Sequence, residues 1–211
     1  MEITEESIIT LDQKSWGICG FVAAIQAAVY NGNSGRVETV IKNNKDPEET
    51  NPDRAIILPV IQAFLNYAGT ARLNDLLGFT SSFGKKYESK DFFIDTENKL
   101  VKDNMTKDLG IAMNPAGMDF LLKSILGTTL NPPRATPTII KPTDLKGNQV
   151  LGLCDPLNSD PQNYYSLRHW VYVPYAKPGE HMRCLSWGNE ERLVDLLDRS
   201  NYVIRHSLDM V

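Results

Sequence analysis

The twelve residues Cys19 to Tyr30, CGFVAAIQAAVY, carry one strongly polar side chain, Gln26, and run into Asn31-Gly32. A run of that length ending on Asn-Gly reads as a helix with a C-terminal stop, and a helix apolar nearly all round belongs in the middle of a core. Everything else must be arranged to cover it. Asn51-Pro52 then offers a cap and a first-turn proline ahead of AIILPVIQAFLNYAG, a second apolar helix with Pro59 as a candidate kink and Gly69 as its end. A shorter helix follows near Ala71 to Leu77, and Asn114-Pro115 opens another that Gly127 closes. Between them, 33–51 reads as loop with one group of helical turns around Val37 to Ile41, and 80–103 as a polar stretch.

After Leu130 the pattern changes. Asn131-Pro132-Pro133 is followed by short β-prone runs at 136–140, 149–154, 169–176, 182–188 and 201–208. Lys177-Pro178-Gly179-Glu180 has hairpin-turn composition, so the 169–176 and 182–188 runs should be antiparallel neighbours. A mainly helical part over about 1–130 and a mainly β part over about 131–211 give an α+β class, with a site most naturally placed between them. With 211 residues, 42% of them hydrophobic and 23% charged, the chain is long enough to bury one core, and 1–211 is expected to be a single domain.

The formal charge of −4, from 22 basic and 26 acidic residues, provides no broad basic surface, so nucleic acid is not expected as a partner. No apolar stretch is long enough to cross a bilayer, and the start Met1-Glu2-Ile3-Thr4-Glu5-Glu6 is acidic where an export signal is basic. The expectation is a chain made in the cytoplasm. Three cysteines, Cys19, Cys154 and Cys184, form no CxxC pair and make neither a disulfide framework nor a zinc site; Cys154 and Cys184 are expected as small buried hydrophobes, with a bridge between them left open.

Cys19 falls in the first turn of the buried helix, where unpaired backbone N–H groups and the positive end of the helix dipole favour a thiolate. Acyl chemistry at that sulfur also needs an imidazole and oxyanion donors. Of the three histidines, His169, His181 and His206, the first heads a strand and is best placed to present a ring into a cleft.

Gln13-Lys14-Ser15-Trp16-Gly17-Ile18-Cys19-Gly20-Phe21 resembles the nucleophile segment of papain-like cysteine peptidases, with Gln13 six positions before Cys19. The second half is similar too: His169 begins HWVYVPY, and Ser186-Trp187-Gly188 lies where that family carries Asn-Ser-Trp-Gly. The two blocks cover roughly 45 residues, in the family's chain order. The resemblance implies a papain-like fold in which a central nucleophile helix packs on an antiparallel sheet, with Cys19 as nucleophile, His169 as its base and acid partner, Gln13 as an oxyanion donor alongside the Cys19 amide, and Trp187 as a hydrophobic cover near the histidine. It implies no metal or organic cofactor.

Three departures bear on function. Leu185 stands where the family has its asparagine and cannot accept an imidazole N–H, leaving Ser186, Asn189 and Asp155 as candidates to orient His169, or a dyad held by packing. Gly20 replaces the bulky aromatic that usually follows the nucleophile. No extra cysteines for disulfides and no room for a propeptide ahead of Gln13 disfavour a digestive role. The expected activity is hydrolysis of an amide or peptide bond in a protein, peptide or peptidoglycan substrate, in the manner of a bacterial effector or toxin delivered outside the Sec route and held by an inhibitor or immunity protein. The alternatives are a glutamine deamidase or transglutaminase, a peptidoglycan amidase, and a non-catalytic binding module on the same scaffold.

Overall fold

The computed structural model describes residues 2–12, 18–76, 113–131, 134–156, 167–175 and 181–211. The helical half holds α1 (Glu5–Ile9), α2 (Cys19–Tyr30), α3 (Ser34–Asn44), α4 (Pro52–Leu76) and α5 (Pro115–Phe120), which continues into a π turn, Leu121–Ile125. The strands are β1 (Arg134–Ile140), β2 (Gln149–Cys154), β3 (Leu167–Val173), β4 (Arg183–Ser186), β5 (Asn189–Arg192) and β6 (Val203–Asp209), with α6 (Leu193–Ser200) between the last two. This is an α+β arrangement of helices and one antiparallel sheet.

α2 sits where its composition demands. Every residue from Gly20 to Val29 is buried, and Phe21 meets Phe64 of α4 edge-on at 5.4 Å between ring centres. The one polar side chain, Gln26, is 1% exposed and donates through Nε2 to the Ile8 carbonyl at 3.0 Å, tying α1 to α2. α4 begins as its sequence directs, with Asn51 Oδ1 accepting from the Arg54 amide at 3.0 Å and Pro52 at the first helical position. Pro59 leaves no non-helical backbone in α4. The break falls at Gly69 instead, whose φ of +66° and ψ of +159° separate two helical segments.

The six strands run in the order β1-β6-β2-β3-β4-β5, every neighbouring pair antiparallel. Side-chain alternation divides the sheet between two clusters. Val150, Cys154, Trp170, Tyr172 and Leu185 pack with the helical core around α2. Leu151, Leu153, Val171, Val173 and Cys184 pack on the other face with Leu193 and Leu196 of α6. β2 is therefore buried on both sides along its whole length. Tyr172 pairs with Leu185, so β3 and β4 are the antiparallel neighbours expected; their connecting turn at 177–180 lies outside the described residues.

Several elements differ from the sequence expectation. The 33–51 segment is not mainly loop, because α3 takes eleven residues of it and buries Val37, Val40 and Ile41 at helical spacing. α1, β5 and α6 were not expected from the sequence. α1 is fixed by a capping box in which Thr4 and Ser7 exchange side chain-to-backbone bonds. Cys154 and Cys184 are buried and lie in different clusters, as small hydrophobes would. Among the described residues, no helix is long and apolar enough to cross a membrane.

Candidate active site

Cys19 is the first residue of α2, preceded by Ile18 as an N-cap that offers no side-chain hydrogen bond. The Cys19 and Gly20 amides act on the sulfur, while the Phe21 amide donates to the Ile18 carbonyl at 3.0 Å. The Trp170 amide of β3 donates to Cys19 Sγ at 3.4 Å, which sets the thiol against the backbone of the residue that follows His169. Two residues far apart in sequence are thus brought next to each other by packing α2 across β3. Cys19 remains partly exposed.

Trp170 is fixed in turn. It is 2% exposed, and its indole Nε1 donates to the Met113 carbonyl at 2.7 Å. A Cβ on Gly20 would lie 3.0 Å from Met113 Cβ and 3.3 Å from Trp170 Cδ1. The absence of the bulky residue expected after the nucleophile now has a physical reason: Trp170 and Met113 fill that space. The Trp170 amide is a donor that sequence reasoning missed, and as a backbone group it left no signal to find.

His169 is 4% exposed and held on two sides. Its Nε2 lies 2.9 Å from Ser186 Oγ. The Trp187 ring stacks on the imidazole, 4.3 Å between centres and 11° between planes, and is itself 37% exposed. Ser186 pairs with Asn189, and the two residues between them turn the chain from β4 into β5 with positive φ, +46° at Trp187 and +72° at Gly188. The Gly188 Cα has Asp12 Cβ 3.0 Å and Thr10 O 3.2 Å from where a Cβ would sit, so the chain leading toward the nucleophile packs on this turn.

Of the candidates to orient His169, Ser186 reaches it. Asp155 forms an ion pair with Arg168, 3.6 Å from Oδ2 to Nη2, and Asn189 donates to the Trp187 carbonyl at 3.1 Å. Leu185 faces the helical core opposite Tyr172. Gln13 lies outside the described residues. His181 is exposed, and His206 is buried on β6, its ring 6.2 Å from that of Trp170.

Burial governs the protonation of both candidate groups. It pushes the Cys19 thiol up to about 11, against the opposing pull of the amides of Trp170, Gly20 and Cys19 itself. It pushes His169 down to about 3. Desolvation disfavours the charged form of each group, the thiolate of Cys19 and the imidazolium of His169. Among the described residues, no three His, Cys, Asp or Glu side chains are grouped to hold a metal ion. Comparison of the chain with protein-family models, curated proteins and solved structures returns no match, so the reading of this site rests on its own geometry and chemistry.

Proposed function

We propose that the protein is a papain-like cysteine hydrolase acting on an amide bond, with Cys19 as nucleophile and His169 as proton carrier. The observation that carries this reading is the position of Cys19 Sγ at the start of α2, hydrogen-bonded to the amide next to His169, while Ser186 and Trp187 hold the imidazole. A buried histidine fixed on its edge and its face beside a helix-terminal thiol is the pairing that acyl transfer to sulfur needs.

The steps follow from proton and electron balance. His169 takes the Cys19 proton as Sγ attacks the carbonyl carbon, forming the C–S bond and moving the carbonyl π pair onto oxygen. The Cys19 amide stabilises that oxyanion, and the resemblance gives Gln13 the second donor's role. The imidazolium then protonates the leaving nitrogen as the C–N bond breaks. Water attacks the thioester, gives its proton to His169, and the C–S bond breaks to return the thiol and a carboxylic acid. Hydrolysis of a protein, peptide or peptidoglycan amide and deamidation of a glutamine share every one of these steps.

Acyl trapping tests the reading. With p-nitrophenyl acetate, the folded protein should release a burst of nitrophenolate and carry an acetyl group on Cys19 by mass spectrometry, and Cys19→Ser and His169→Ala should each abolish both. A second reading, a binding module without catalysis, draws on the burial that keeps both groups neutral. No burst and no acetyl-Cys19 in the wild type would favour it.

A further inference from the structure

We propose that Ser186 is the positioning residue for His169, its hydroxyl engaging Nε2 so that Nδ1 is the ring nitrogen left for the Cys19 proton. The inference rests on the Cys19–His169 reading and adds to it a residue that the family pattern does not supply, since that pattern places an asparagine one position earlier, where this chain has Leu185.

Strand geometry explains the change of position. Leu185 lies opposite Tyr172, and both side chains join the core around α2. Leu185 is thereby committed to that core, and it is the next residue of β4, Ser186, whose hydroxyl reaches the imidazole of His169. Ser186 is 4% exposed, and among the described residues its hydroxyl's hydrogen-bond partner is His169 Nε2 at 2.9 Å. The following residue, Trp187, closes over the ring face. One dipeptide therefore fixes the edge and the plane of the imidazole.

A hydroxyl suits this task chemically. It donates to Nε2 when that nitrogen carries a lone pair, and accepts from Nε2–H when the ring has taken the thiol proton. The contact survives proton transfer in either direction, with only a rotation of the O–H. An alanine here would leave a buried imidazolium N–H with no acceptor, at a cost that falls on the charged state and not on the neutral one.

The test is the pH profile of Cys19 alkylation by iodoacetamide, read by peptide mass spectrometry on the folded protein. Ser186→Ala should slow Cys19 labelling at pH 6 by about tenfold or more and move the acid limb of the profile to higher pH, because the thiolate–imidazolium pair loses a hydrogen bond. Ser186→Thr, which keeps the hydroxyl, should restore the wild-type limb, a rescue that a purely structural role would not produce. A Ser186→Ala profile that superimposes on the wild type, while His169→Ala still abolishes fast labelling, overturns the role of Ser186 alone. If Ser186→Ala does not fold, a Ser186→Thr limb moved as far as that of His169→Ala overturns it equally. A wild-type Cys19 that labels no faster than a free thiol and is indifferent to His169→Ala overturns the catalytic reading on which the inference stands.

Discussion

Trp187 covers one face of His169, and Ser186 meets its edge. Trp187 stacks on the imidazole and, although 37% exposed, keeps it at 4% exposure, where burial holds its pKa near 3. Trp187→Ala should therefore raise the pKa of His169 toward the ordinary value by about one unit or more, since removing the cover admits water to stabilise the imidazolium. A histidine NMR titration of the Cys19→Ser protein, with and without Trp187→Ala, measures it; an unmoved pKa would mean that the rest of the fold, not the indole, desolvates the ring. At this scale the sequence was legible where chemistry is written in residue type. Cys19 at a helix start is visible as such, whereas β3 begins at Leu167, so that His169 is its third residue and not its first as the sequence suggests. Ser186 could be no more than one of three candidates, because choosing it over Asn189 and Asp155 requires the strand pairing around Tyr172 and Leu185, which residue types alone do not specify.

The elements that read clearly from sequence are those whose burial is extreme. α2 and β2 are buried all round and could not be mistaken for surface. α3 and α6 bury only a narrow stripe, Val37, Val40 and Ile41 in one and Leu193 and Leu196 in the other, and their polar remainder resembles loop. Their helicity is imposed by the surfaces they cover more than by local propensity. The α2–β3 contact is where element packing bears on chemistry. Gly20→Ala would place a methyl 3.0 Å from Met113 Cβ and 3.3 Å from Trp170 Cδ1, and should cost about 1–3 kcal/mol through overpacking. Because Trp170 also presents the amide that meets Cys19 Sγ, the same substitution should slow Cys19 alkylation. Urea unfolding and alkylation rates on one sample separate the two effects. A stable variant with unchanged reactivity would show that α2 and β3 have slack at this point.

For the molecule as a whole, two buried histidines couple the site to stability. Burial lowers His169 to about 3 and, with the neighbouring Arg205 charge, His206 to about 4, both below the 6.5 of a free imidazole. The unfolded chain thus binds more protons than the folded one between pH 6.5 and those values. Stability is complete above about pH 6.5 and is lost as pH falls, by up to ~1.4 kcal/mol per pH unit for each histidine. Urea midpoints at pH 7, 5.5 and 4.5 should fall accordingly, and His206→Asn should flatten the decline relative to its own pH 7 value. A midpoint that holds steady down to pH 4.5 would contradict the burial of both rings. The central claim is spatial: the first turn of α2 and strand β3 bring one sulfur and one imidazole into reach of each other. Dibromoacetone, which first alkylates a reactive thiol and then a nucleophile within three carbons of it, measures that reach. Peptide mapping should find Cys19 Sγ bridged to Nδ1 of His169 in the folded protein and no bridge after unfolding. Cys19 alkylated without a partner, or bridged to a residue other than His169, would contradict it.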